Sequence, residues 1–219
     1  MNQDGENLLQ KLNLLGLNYS YKFGVLIYET PSNFEMYIDS SVRYLDRVSM
    51  IMACAFATSG KFQGLNMNKY LKISGGKGLR SIKLEGLSNI FTRIDVDIES
   101  KQLIDLRRTF MDCNILKELN IINLDTSHVK NTSYMFYRCT NLQELDLRSL
   151  DTSSITCMDG MFGECINLKS LNTGEWKLPK LESAVNIFKN CLQLREEDIR
   201  ALNLKSSQLN YVFPVGING

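Results

Sequence analysis

The sequence predicts an α/β solenoid, in which stacked coils share one short parallel sheet between a small N-terminal α/β cap and a C-terminal helical cap. Three observations lead there. Apolar residues recur every 26 positions through the second half of the chain. A Leu-x-x-Leu-x-Leu piece precedes a cluster of turn residues in the clearest units. The two ends lack the recurrence and read as capping elements.

The recurrence is strict. Phe110, Phe136, Phe162 and Phe188 are 26 residues apart, as are Cys113, Cys139, Cys165 and Cys191, and Leu116, Leu142, Leu168 and Leu194. Leu119, Leu145 and Leu171 keep the same interval, and Val129, Ile155 and Leu181 follow it. Self-similarity at about 20–50 residues marks a stacked-repeat protein, and a unit of 26 falls among leucine-rich-repeat lengths rather than propeller blades.

Each unit divides into three parts. "LKELNI" and "LQELDL" end in alternating apolar residues, as a short half-buried strand does. "LDTSHV" and "LDTSSI" are turn chemistry, because Asp, Thr and Ser side chains bond nearby backbone amides. "NTSYMF" and "CMDGMF" run back and end on the Met-Phe pair that fills the interior. One such unit cannot bury its apolar face alone, so neighbours must supply the cover.

The recurring cysteines read as core residues. A reduced thiol behaves as a small hydrophobe, and four thiols strung along an axis do not converge on a tetrahedral zinc site. Disulfides between adjacent units are within geometric reach, but a reducing compartment disfavours them. Cys157 aligns with Asn131 in a turn and is expected to be the most exposed thiol.

Upstream, "LRSIKLEGL" (79–87) and "FTRIDVDI" (91–98) read as degenerate units, the first aligning with Leu116–Leu124, so the array starts near residue 70. The expected organisation is an N-terminal cap or head at 1–60, a repeat region at 61–194 (degenerate at 70–108, regular at 109–194), and a cap and tail at 195–219. Within the first part, "ENLLQKLNLL" has helical spacing, "KFGVLIYE" reads as a strand, and 39–57 reads as a capped helix. "REEDIRALNL" (195–204) reads as a capping helix.

The string "MFYRCTNLQELDLRSLDTSSITCMDGMFGECINLKSL" closely resembles the BspA-like, leucine-rich-repeat-like family of bacterial surface-protein repeats. The resemblance is strong over 109–171 and partial to about 194. It implies a leucine-rich-repeat-like, right-handed solenoid that binds other macromolecules and does no chemistry.

Composition excludes extremes. The chain has 219 residues, 44% hydrophobic and 22% charged, with a formal net charge of +1. No run reaches the roughly 18 apolar residues of a membrane span. The opening MNQDGENLLQ has neither the basic nor the apolar region of a signal peptide, which predicts a cytoplasmic protein. The lone His128 lies in a turn, at the position of Ser154 in the next unit, and reads as a solvated side chain without a matched catalytic partner set, and "SGGKGLR" (74–80) lacks the phosphate-loop signature. No catalytic residue, metal ligand, cofactor or small-molecule substrate is expected.

Two surfaces are candidates for binding. Lys83, Asp95, Asn120, Asp146 and Asn172 are expected in one outward column of the sheet, with Ile122 and Arg148 in a second. The segment 61–83 holds Lys61, Lys69, Lys72, Lys77, Arg80 and Lys83 and no acidic residue. There, lysines and arginines would displace counterions from a polyanion while Phe62 or Tyr70 stacked on bases.

The preferred reading is a non-catalytic protein–protein interaction module of a bacterium or its mobile elements, in the class of inhibitors, immunity proteins or anti-defence factors. It binds its partner through the sheet face. The alternatives are a nucleic-acid-binding protein using 61–83 and a fragment of a secreted adhesin.

Overall fold

A computed structural model describes residues 1–17, 19–22, 24–30, 34–45, 70–85, 91–200, 202 and 204. The expected α/β solenoid is corrected by the arrangement of its elements. The described chain is mostly β, with mixed sheets and only two short helices, α1 (Gln3–Leu14) and α2 (Glu196–Arg200). A six-stranded sheet carries β1 (Tyr19–Lys22), β2 (Val25–Glu29), β3 (Phe34–Ile38), β5 (Tyr70–Gly75), β7 (Arg93–Ile98) and β8 (Glu118–Ile122) in that order. Pairing is antiparallel from β1 to β3 and parallel from β3 to β8. Separate two-stranded parallel sheets join β9 (Glu144–Asp146) to β10 (Ser170–Asn172) and β4 (Tyr44–Leu45) to β6 (Ser81–Ile82).

Two physical reasons underlie the correction. The N-terminal strands do not cap a coil; they hydrogen-bond directly into the sheet, Phe34 opposite Leu71 through Ile38 opposite Gly75. Nor does the return run of each repeat form a helix. Its backbone is held by isolated parallel bridges, Ser81 to Asp105, Asp105 to Asn131, Asn131 to Cys157 and Cys157 to Ser183. Further bonds run from each repeat into the next, such as Phe110 N–H to the Met135 carbonyl at 2.8 Å and Phe136 N–H to Met161 at 2.9 Å.

The 26-residue interval does govern packing. The rings of Phe110, Phe136, Phe162 and Phe188 are stacked near-parallel, with centroids 5.4, 5.8 and 5.4 Å apart. All four are buried. Burial of each ring contributes about 1.5–3 kcal/mol, and offset stacking adds about 0.5–1.5 kcal/mol per pair. Beside them Cys113, Cys139, Cys165 and Cys191 are buried and unbridged.

Two backbone positions per repeat are left-handed, at the same interval. Arg108, Tyr134, Gly160 and Asn186 have φ of 58, 58, 58 and 57°, and Asp112, Arg138, Glu164 and Asn190 have 59, 59, 64 and 59°. For residues other than glycine, asparagine or aspartate this costs roughly 1–2 kcal/mol each, which the surrounding bonds must offset.

At the N-terminus the Asn2 side chain accepts from Gly5 N–H at 2.9 Å, so α1 begins with a satisfied cap. Its Leu12 is buried against Leu26 and Tyr28 of β2. The other face of the same strand, Val25 and Ile27, belongs to the main core. So α1 covers the outer face of the sheet at β1–β3, and among the described residues no helix lies over β7 to β10. Of the helix expected over 39–57, residues 44–45 form β4, and 46–57 lie outside the described residues. The expected terminal helix is present as α2.

Candidate functional site

The uncovered face is built by strand alternation. Ile94 and Val96, Leu119, Leu145 and Leu171 are buried, so the intervening residues of β7 to β10 point outward. Asp95 stands opposite Asn120 in the β7–β8 register, and Asp146 opposite Asn172 in β9–β10. Between these two pairs the ladder is interrupted, because β8 closes one sheet and β9 opens another.

A groove follows the interruption. About 560 Å³ in volume, it is lined by Asn120, Asn141, Gln143, Glu144, Asp146 and Asn172 among others. A second depression of about 580 Å³ shares Leu119, Asn120 and Asp146 with it and reaches Ile122 and Arg148. The structure therefore brings together Asn120, Ile122, Asp146, Arg148 and Asn172, with Ile122 44% exposed.

Asp95, beside Asn120 in the register but not in the lining of either depression, is only 7% exposed. Arg93 donates to it through Nε and Nη2, both at 3.2 Å, Tyr70 through its hydroxyl at 2.7 Å, and Asn120 through Nδ2 at 2.8 Å. Burial pushes its carboxyl up, but these donors together outweigh burial and hold it below the ordinary value. Asp146 is held down chiefly by the Arg148 side chain, whose Nη2 lies 2.7 Å away. Both carboxylates are therefore fixed as charged, directional acceptors.

Lys83 is not in this column. It follows β6, on the line of bridges, and its Nζ donates to the Arg107 carbonyl at 3.0 Å. The strand that flanks β7 is β5, so Lys72 takes the place beside Asp95 and also faces Glu35 across β3.

The basic segment is likewise interleaved with acid. Lys72 stands between Glu35 and Asp95, and Lys77 shares a hollow of about 250 Å³ with Asp4, Asp97 and Glu99. Arg80 is exposed just before β6. Lys61, Phe62 and Lys69 lie outside the described residues. The Tyr70 ring is already covered by the Arg93 guanidinium, 4.7 Å from its centroid. The pairing of Tyr70 and Arg93 with Asp95 escaped the sequence reading, since only the sheet register places them together.

Among the described residues, no group of His, Cys, Asp or Glu is arranged to hold a metal ion. None of the described helices is long and apolar enough to cross a membrane. His128 is exposed, with Nδ1 2.9 Å from the Ser127 hydroxyl. Asp125 and Asp151 accept from the amides of Ser127 and Ser153 at 3.0 and 2.9 Å, as turn-forming residues do.

Fold and site together define a mostly-β repeat protein with an open polar groove beside an interrupted sheet. The model of the family described as Mycoplasma protein of unknown function, DUF285, matches residues 104–214, and the chain belongs to that family. The match starts one residue before Asp105, the first of the regularly spaced bridge positions. No curated protein and no solved structure is significantly similar to the chain.

Proposed function

We propose that this is a non-catalytic, cytoplasmic interaction protein that holds a protein partner against the outward face of β7 to β10. The supporting observation is the lining of the groove. Asn120, Asn141, Gln143 and Asn172 each carry two amide protons and two acceptor lone pairs; one position of each is engaged within the chain, and the rest suit the alternating N–H and C=O groups of an extended polypeptide. Asp146, charged and fixed, sets the orientation of what binds. Ile122, at the end of β8 in the adjoining depression, supplies an apolar contact.

The test is affinity capture from the native host with wild type and with Asp146→Lys/Arg148→Glu. That double variant exchanges the two charges, so the pair still forms and thermal unfolding stays within a few degrees. The expected result is loss of the captured protein. Undiminished capture by the folded variant removes the groove as the binding surface.

A further inference from the structure

The return runs of the repeats carry a second distinctive surface, none of whose residues lines the groove. Arg108, Tyr134, Gly160 and Asn186 occupy equivalent left-handed positions. Glycine and asparagine adopt this backbone most readily, and the later repeats use them. The earlier repeats place an arginine and a tyrosine there instead. Strain kept at surface side chains points to a role beyond packing.

What those side chains build is specific. Tyr134 is 39% exposed, and its ring lies across Gly160, where a Cβ would meet it at 2.6 Å. Tyr137 lies across Gly163 in the same way, at 3.0 Å. The two rings meet edge to face, 5.6 Å apart. The Arg108 guanidinium stands 6.0 Å from the Tyr134 centroid, and that of Arg138 5.3 Å from Tyr137. Arg108 has no ion-pair partner among the described residues, and Arg138 reaches Asp112 only at 3.8 Å. The nearby Glu164 is occupied by Asn190 Nδ2, at 2.9 and 3.0 Å from its two oxygens.

We propose that this strip binds single-stranded nucleic acid. Unpaired bases stack on Tyr134 and Tyr137 in place of the Arg108 and Arg138 guanidiniums, which swing out to meet the flanking phosphates; the Arg93 guanidinium over Tyr70, held by two bonds to Asp95, has no such freedom. Aromatic faces beside guanidinium groups are the arrangement that single strands use, and it is tolerant of sequence because every base has a π-face. A duplex hides those faces. The site shares no residue with the groove or with the basic segment 61–83.

The test is fluorescence anisotropy of the whole protein with labelled oligo(U) and oligo(dT) of about 12 nucleotides, and with a duplex of the same length, at roughly 50 mM salt. Wild type should bind the single strands and favour them over the duplex. Tyr134→Asn places at 134 the residue type that the array itself uses at 186, so unfolding should move by only a few degrees. Its affinity should fall about tenfold or more. Arg108→Asn should weaken binding and lower the salt slope by about one. Lys72→Gln/Lys77→Gln and Asp146→Lys/Arg148→Glu should bind as wild type. Absence of single-strand binding by wild type, equal binding of the duplex, unchanged binding by Tyr134→Asn, or loss in the lysine variant would each overturn the proposal.

Discussion

The Cys165 thiol donates to the Phe136 carbonyl of the preceding repeat at 3.0 Å, joining the two most regular columns of the molecule. Cys139 does the same to Phe110 at 3.1 Å and Cys191 to Phe162 at 2.9 Å. Each recurring cysteine therefore serves two purposes. It is a small apolar filler, and it gives a second donor to a carbonyl that already accepts an amide within its own repeat, as Phe136 does from Cys139 N–H at 3.0 Å.

Thiol labelling should divide the cysteines accordingly. Burial pushes the Cys113 and Cys165 thiols up to about 12, and a thiol rather than a thiolate is a poor nucleophile. Cys157 is only partly buried, with its sulfur 3.1 Å from the Ser133 hydroxyl. A maleimide reagent at pH 7.5 should modify Cys157 well before Cys113, Cys139, Cys165 or Cys191, as read by mass spectrometry of peptides. Denaturant should make all five equivalent. Comparable labelling of Cys165 in the folded protein contradicts its burial.

Phe162→Ala should destabilise the protein by about 3–5 kcal/mol. The ring is fully buried between Phe136 and Phe188, at 5.8 and 5.4 Å, and Phe136, whose amide is bonded to Met161 and whose carbonyl is bonded to Cys139, cannot collapse into the space. Urea denaturation checks the magnitude. A loss below about 1 kcal/mol would mean that the column is not continuous.

The Asp95 network should appear in the pH dependence of stability. The carboxyl of Asp95 is depressed in the folded state, so its contribution is fully present above the unfolded value, about 3.9. That contribution is lost as pH falls through the lower, folded value. Asp95→Asn should cost about 1–2 kcal/mol at pH 7, because Arg93 is itself partly exposed and screened. The gap between variant and wild type should narrow from pH 5 to pH 2. A gap independent of pH would show that the charge of Asp95 is not what holds Arg93 and Tyr70.

The regular half of the molecule was readable because one rule repeats. A fixed interval of 26 put Phe136 over Phe162 and Cys139 beside Cys165 without knowledge of any long-range contact. The same rule misplaced Lys83. Upstream units are shorter, with Lys72 and Asp95 partnered at a separation of 23 residues and Asp95 and Asn120 at 25. A constant interval therefore slips out of register there. Pairing of Phe34 with Leu71 bridges an intervening stretch with no repeat signature, and antiparallel strands at residues 19–38 carry the same alternation whether they form a detached cap or extend the sheet. Two strands of like pattern do not announce which neighbour they join.

The groove was half legible. Asn120, Asp146 and Asn172 follow from alternation within their own strands, and alternation is local. The interruption between β8 and β9 that makes a hollow of them is a matter of inter-strand geometry, which no residue in either strand encodes alone. Tyr134 illustrates a signal that was present in the sequence. Its counterparts Gly160 and Asn186 mark a left-handed position, and a bulky residue in their company is an exception visible by alignment of the repeats.

The hydrogen bonds from Cys139, Cys165 and Cys191 to the phenylalanine of the preceding repeat have an evolutionary corollary. An internal unit presents its successor with the same acceptor that it takes from its predecessor, so a duplicated or deleted unit leaves compatible surfaces on both sides of the join. Array length can then drift by whole units during replication without redesign of the interior, while the outward residues of each copy diversify independently.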